Sequence, residues 1–340
     1  MPLATTNNTT PATRISCITV PPARPLPSLR DDVSAGFEAR PRTIPPKYFY
    51  DADGSALFDR ICDTPEYYPT RAEAYLLQRY ARTILALVRP THIVEFGSGS
   101  CRKTRYLLRA AAELGLPLRY WPFDVCEDML LRAARALTDE LDDLQVCALV
   151  GDYCGGLAHL PQPDGRCLYL FLGGTIGNFS AAESRQFLRE LRARMRPGDA
   201  LLLGLDRVKP RAVLEAAYND RAGVTARFNL NLLNVLNREL DADFDPRGFR
   251  HQAVYRPERA RIEMYLVSTR TQRVRIGALG RGYRFEAGEA VLTEISRKFT
   301  PLTLRRLLLD AGLALESHFE GGEQLYSLVL ARKALAPWED

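Results

Sequence analysis

Three short segments carry side chains suited to holding a nucleoside. In Val94-Glu95-Phe96-Gly97-Ser98-Gly99-Ser100 two glycines stand where an apolar run gives way to a helical pattern. Glycine there lets the backbone approach a ligand closely without a Cβ penalty. Asp124 ends the next apolar run, where a carboxylate can accept both hydroxyls of a ribose. Gly151-Asp152-Tyr153 ends the third; Asp152 can accept from an adenine amino group and Tyr153 can stack on the ring. Each alone also reads as a tight turn or a helix-capping carboxylate. Three on successive run ends favour an adenosine-bearing cofactor.

Departures from the known phosphate sites narrow the ligand. Arg102 stands where a dinucleotide fingerprint has its third glycine, and also where a P-loop has glycine before lysine, so Lys103-Thr104 is not a phosphate cradle. The serines miss the Gly-x-Ser-x-Gly nucleophile elbow. What remains is a ligand with little or no phosphate.

Regular alternation of strand-sized apolar runs and helices must position these groups. A capping box at Thr70 and Glu73 predicts a helix with Tyr75, Leu76, Tyr80, Ile84 and Leu87 on one face, up to the breaker Pro90. Strands are expected at 92–96, 118–124, 145–150, 167–172 and 200–206, with helices over 103–113 and 127–141 and another from the capping box Ser180/Glu183 to Pro197. Continuous hydrophobicity in the strands implies a sheet covered on both faces. The alternation stops over 208–298, which reads as two helical stretches (211–222 and 228–240) and half-exposed strands such as 260–269 and 273–278. It resumes with Thr300-Pro301 starting a helix to Asp310, then strands at 313–319 and 325–331 joined tightly enough to be antiparallel. Five strands with crossovers, an insertion, then helix–strand–strand is the seven-stranded Rossmann-like order of a class I S-adenosylmethionine-dependent methyltransferase, an α/β fold.

Composition removes other classes. The net charge of +5 is scattered, which argues against nucleic acid as a partner. The longest apolar runs, Leu168–Leu172 and Ala200–Leu205, are strand-sized, so no membrane span is expected, and the N-terminus lacks a secretory pattern. Seven cysteines without a Cys-x-x-Cys fit reduced thiols in the cytoplasm. The four histidines are far apart, so no metal site is expected. A cytoplasmic monomer without an obligate protein partner is the expectation.

From about Leu29 to Arg332 the chain resembles the L-histidine Nα-methyltransferases of ergothioneine biosynthesis, which make hercynine from histidine and S-adenosylmethionine. The likeness rests on Pro46-Lys47-Tyr48-Phe49-Tyr50-Asp51, Pro65-Glu66-Tyr67-Tyr68-Pro69-Thr70-Arg71, Glu95-Phe96-Gly97-Ser98-Gly99, Lys103-Thr104-Arg105 and Phe171-Leu172-Gly173-Gly174-Thr175-Ile176-Gly177-Asn178. Ala222-Gly223-Val224-Thr225, Arg261-Ile262-Glu263-Met264 and the segment from Leu292 to Phe299 extend it. The resemblance implies that Tyr50, Gly97, Lys103, Asp124, Asp152 and Tyr153 line the S-adenosylmethionine site. It implies that Tyr67, Gly173, Asn178, Tyr218, Met264, Glu294 and Ser296 line the amino-acid site, with Tyr50 and Gly173 nearest the chemistry. The chain departs from the family pattern at Gly174, usually Ser, and at Tyr153, usually Phe.

These residue types answer what the implied reaction needs. The acceptor amine must be unprotonated and aligned with the methyl, so positioning is the main task. Asn178, Tyr67 and Tyr218 can donate to a carboxylate, and Glu294 with Ser296, two apart on a strand, can grip both nitrogens of an imidazole. Gly173 leaves room for a backbone carbonyl to hold the amine, and Met264 can line the ring pocket. Cys101 and Cys126 are expected to pack as small apolar groups. The implied organisation is a flexible tail (1–27), a methyltransferase domain (73–207 and 299–333) and a discontinuous α+β substrate-recognition domain (28–72 and 208–298). Two alternatives are an Nα-methyltransferase of another aromatic amino acid, such as a tryptophan derivative, and a non-catalytic S-adenosylmethionine-binding module.

Overall fold

The computed structural model describes residues 14–334. Its first strand, β1 (Ile15–Thr19), lies in the stretch expected to be a flexible tail. β1 pairs in parallel along its whole length with a strand over Gln145–Val150, and the Arg14 guanidinium donates to the carbonyls of Thr138 and Asp142 at 2.8 Å each. A cation there also complements the negative end of the helix that closes at Glu140. The tail expectation is therefore corrected over 14–27, and residues 1–13 lie outside the described residues.

Next come α1 (Leu29–Glu38), the two-residue β2 (Arg42–Thr43), α2 (Ala52–Cys62) and α3 (Tyr68–Val88). α1 begins with a capping box of Ser28 and Asp31, and Asp51 caps α2. The capping box expected at Thr70 and Glu73 does not form. Pro69 sits in the first turn of α3, which starts the helix earlier, and Thr70 Oγ1 donates to Cys62 Sγ. The buried face of α3 runs through Glu73, Leu76, Leu77, Ile84 and Val88, whereas Tyr75 and Leu87 are exposed.

The alternating region follows as β3 (His92–Phe96), α4 (Arg105–Glu113), β4 (Arg119–Asp124), α5 (Glu127–Glu140), β5 (Gln145–Val150), β6 (Cys167–Phe171), α6 (Ala181–Arg194) and β7 (Ala200–Asp206). β3, β6 and β7 are buried at every position, as covered parallel strands should be. α6 starts on the expected Ser180/Glu183 capping box. The insertion supplies α7 (Arg211–Tyr218), α8 (Val224–Leu240), β8 (Phe249–Arg256), β9 (Arg261–Ser268), β10 (Gln272–Ile276), β11 (Arg281–Phe285) and β12 (Ala290–Arg297). α9 (Pro301–Asp310), β13 (Leu313–Glu320) and β14 (Tyr326–Lys333) complete the described chain.

The large sheet runs β1-β5-β4-β3-β6-β7-β14-β13, with β14 antiparallel to both neighbours. Without β1 this is the expected seven-stranded methyltransferase order, and β1 is an eighth strand at its edge. A second sheet, β2-β12-β9-β8, joins β2 of the N-terminal segment to three strands of the insertion, whose other two strands form the β10–β11 hairpin. One apolar core joins Phe37, Phe49, Ile61 and Tyr67 from the N-terminal segment to Phe228, Leu232, Met264 and Phe285 from the insertion. Chain reversal between β3's two neighbours, β4 and β6, opens a crevice at the carboxyl edge of the sheet.

Candidate active site

A cavity of about 680 Å³ occupies that crevice and extends to the second sheet. Every site residue named from the sequence lines it. Gly97, Lys103, Asp124, Asp152, Tyr153, Gly173 and Asn178 come from the strand ends and loops of the large sheet. Tyr50, Tyr67, Tyr218, Met264, Glu294 and Ser296 come from the N-terminal segment and the insertion. Arg24, Pro25, Leu26 and Pro27 also line it, so the supposed tail supplies part of a wall. Arg24 holds that strap down by donating to Glu190 and to the Cys154 carbonyl, both at 2.6 Å.

The cofactor end is built from the loop after β3. Gly97 and Gly99 have φ of +66° and +50°, the left-handed region that favours glycine. Asp124 ties this loop down: its Oδ2 accepts from the Gly99 amide at 3.0 Å and its Oδ1 from the Cys126 amide at 3.3 Å. A carboxylate has about four lone-pair sites, so Asp124 keeps capacity for a diol. Asp152 Oδ1 accepts from the Cys154 amide at 2.8 Å and keeps its second oxygen. Tyr153 packs edge-on against Phe171 and Phe187, and a Cβ at Gly97 would lie 3.6 Å from its ring. Ser98 Oγ is buried with no partner in the described structure. Free acceptors at two strand ends, an orphaned hydroxyl in the loop and the Lys103 ammonium fit an adenosine carrying a zwitterionic tail.

Glu73 is the site residue that sequence reading missed. Fully buried on α3, it accepts from the Gly173 amide at 2.8 and 2.9 Å, from Tyr326 OH at 2.9 Å and from the Lys103 ammonium. It thus sets both the lysine and the turn after β6, where Gly173 and Gly174 have φ of +78° and +68°. A Cβ on Gly204 of β7 would lie 2.1 Å from Glu73 Oε1, so this carboxylate fits only against glycine. The available signal was an ionisable residue on a helix face otherwise apolar.

The other end centres on Tyr218, Glu294 and Ser296. A bulge between Leu292 and Glu294 brings Glu294 opposite Met264 of β9, and Thr293 Oγ1 pins the bulge to Asn229 Oδ1 at 2.8 Å. Glu294 makes no hydrogen bond or ion pair in the described structure, and burial pushes its carboxyl up to about 7 although Lys298 pulls the other way. Tyr218 OH donates to Ser296 Oγ at 2.8 Å, and its ring meets Tyr67 edge-on at 6.0 Å. Beneath them Lys298 bonds Asp206 at 2.8 Å, and Asp206 also holds Lys209 and Tyr68 OH. Burial alone would raise the Asp206 carboxyl, but Lys298 and Lys209 together hold it below its ordinary range. Lys298 and Asp206, like Glu73, were not named as site residues from the sequence. Cys101 packs as expected, its thiol pushed up to about 12 by burial, and Cys126 is half-buried at the cavity wall. No metal-ligand cluster occurs among the described residues.

Comparison with known proteins places the chain among methyltransferases. Residues 29–333 match the family described as histidine-specific methyltransferase, SAM-dependent. The chain is similar to the histidine N-alpha-methyltransferase of Mycobacterium tuberculosis, 47% identical over 286 residues, covering 84% of this chain and 89% of that one. It is 29% identical to ergothioneine biosynthesis protein 1 of Neurospora crassa over 90% of this chain and 35% of that one. Similarity also extends to the L-tryptophan methyltransferase of Psilocybe serbica, at 29% identity over 92% and 94% of the two chains.

Proposed function

The chain belongs to the SAM-dependent, histidine-specific methyltransferase family, and from that premise we propose that the cavity assigned above is where it methylates the α-amine of L-histidine to give hercynine, the first step of ergothioneine biosynthesis. The observation that carries the assignment is Glu294: a half-buried carboxylate on the cavity wall with no hydrogen-bond partner among the described residues, two positions from Ser296 and opposite Met264. S-adenosylmethionine supplies an electrophilic methyl on a sulfonium. Asp124 and Asp152 offer acceptors for its sugar hydroxyls and adenine amine, and Lys103 offers donors for its carboxylate. Asn178, Tyr67 and Tyr218 donate to the histidine carboxylate, while Glu294 takes one imidazole N–H and Ser296 meets the other ring nitrogen. Those contacts fix the substrate at two ends, so its amine is held by geometry near Gly173 and Tyr50. No side chain of the cavity has to form a bond to substrate. The proton leaving the ammonium passes to water or a nearby base before each transfer, and the apolar walls of Phe228 and Met264 limit competing solvation.

Mass spectrometry of histidine incubated with protein and S-adenosylmethionine tests this, with three successive methyl additions expected. A competition among free amino acids should leave histidine the preferred acceptor. Preferential methylation of tryptophan would favour the other aromatic reading, and no methylation of histidine would sink the assignment.

Asp124→Ala should weaken S-adenosylhomocysteine binding roughly 10- to 100-fold in calorimetry, because hydrogen bonds to a charged acceptor are worth about 1.5–3 kcal/mol. Its effect on histidine binding to the loaded protein should be much smaller. Equal losses for both ligands would contradict the cofactor assignment.

A further inference from the structure

Lys298 lies beneath the two hydroxyls at the amino-acid end of the cavity, and the chemistry above does not use it. Its ammonium is wholly buried, and all three donors are spent: on Asp206 Oδ2 at 2.8 Å, Ser296 Oγ at 2.8 Å and Tyr218 OH at 3.0 Å. An ammonium has no lone pair, so both hydroxyls must accept from it. Each hydroxyl then has one proton left to give. The two oxygens are 2.8 Å apart, so one proton can lie between them. The other is left to the cavity, and a ligand with two acceptors can take both.

Charge points the same way. Asp206 is one carboxylate between two buried ammonium groups, Lys298 and Lys209, whose side chains are 0% and 5% exposed. Glu294, whose carboxyl feels Lys298, balances the second ammonium only when it is ionised, and a buried charge without its partner is costly. An anionic group of a ligand supplies that partner. The chain's cations are nearly all arginine, yet here stands a lysine, whose three tetrahedral donors reach three acceptors that a planar guanidinium would meet less well.

We infer that Lys298 is a positioning residue that fixes Tyr218 and Ser296 as hydrogen-bond donors toward the ligand, and thereby selects an imidazole amino acid that carries a free carboxylate. This rests on the histidine reading. Tyr218 gives its proton to the carboxylate, and Ser296 gives its own to the bare imidazole nitrogen while Glu294 accepts from the ring N–H. One ring tautomer is selected. Lys298 itself touches neither ligand.

The test uses the full chain saturated with S-adenosylhomocysteine and reads the binding of histidine and histamine, which lacks the carboxylate. The wild type should prefer histidine by roughly 10-fold or more. In Lys298→Met, which leaves Asp206 paired with Lys209, histidine binding should weaken roughly 10- to 100-fold, histamine binding by a smaller factor because only its Ser296 contact is lost, and S-adenosylhomocysteine binding not at all. In a Tyr218→Phe/Ser296→Ala background the same change should cost a distinctly smaller factor, since the groups it acts through are gone. An undiminished factor there overturns the inference, as does a Lys298→Met protein that discriminates like the wild type. Should Lys298→Met fail to fold, Lys298→Gln is read in the same way, and a wild type that binds histamine as tightly as histidine overturns the inference without any variant. A wild type that binds neither imidazole overturns the histidine reading itself, which separates the two failures.

Discussion

Glu294→Ala should raise the KM for histidine roughly 10- to 100-fold and leave that for S-adenosylmethionine within about 2-fold, the range set by losing a hydrogen bond to a charged group. Glu294 accepts no hydrogen bond among the described residues, so its acceptor capacity is open to a ligand. It faces Met264 across the β9–β12 pairing, which leaves an imidazole an apolar wall and a single anionic grip. Truncation leaves a buried ring N–H without an acceptor, and an unsatisfied buried donor costs more than the bond it lost. Steady-state kinetics with each substrate varied in turn checks this. An equal rise in both KM values would remove Glu294 from the imidazole end.

The same carboxyl links function to stability with a definite sign. Burial raises Glu294 from an ordinary 4.5 to about 7, so between those pH values the folded chain holds a proton that the unfolded chain releases. Its stabilising contribution is therefore present below about pH 4.5 and is lost as pH rises through about 7. Glu294→Gln abolishes that loss, so its melting temperature should exceed the wild type's at pH 8 while its histidine KM is worse. Such a site is held at the expense of stability. Histidine binding by the wild type should also weaken as pH falls below about 7, because the acceptor gains a proton while the imidazole gains one too.

The large sheet was legible because burial on both faces leaves continuous apolar runs: β3, β5 and β7 carry the bounds expected of them, and β4 and β6 lie within a residue. α4 begins two residues later than expected, at Arg105, because the glycine loop carries on through Lys103 and Thr104. β1 was not legible. Its five residues sit between polar and proline-rich flanks, and its partner β5 is far along the chain, so no local pattern announces the pairing. At Thr70 and Glu73 the residue types met a real motif, but Pro69 decided where the helix starts.

The site divides along a similar line. Residues that face the cavity could be named because the resemblance and the strand-end logic concern direct contact. Residues that hold them from behind act through space across long separations: Glu73 on Gly173, Tyr68 on Asp206, Lys298 on Tyr218. Each is an ionisable or hydroxyl group in apolar company, which marks burial with a partner but does not name the partner. The strap at 24–27 was missed with β1, since only that pairing carries it past the cavity.

Glu73→Ala should lower stability by about 3 kcal/mol and weaken S-adenosylhomocysteine binding roughly 10- to 100-fold, the first figure being the cost of breaking a buried ion pair and the second that of losing charge-assisted contacts. Alanine strips the Gly173 amide and Tyr326 OH of their acceptor and frees the Lys103 ammonium, whose remaining donors then lose their fixed direction. Glu73→Gln separates the two effects. Its carbonyl can still accept from the Gly173 amide, so most stability should survive, but its neutral end no longer anchors Lys103, so binding should stay weak. Thermal melts and calorimetry on both variants provide the check. If Glu73→Ala melts early yet binds S-adenosylhomocysteine as the wild type does, Glu73 is a structural pin for the turn after β6 and Lys103 needs no help to reach the cofactor.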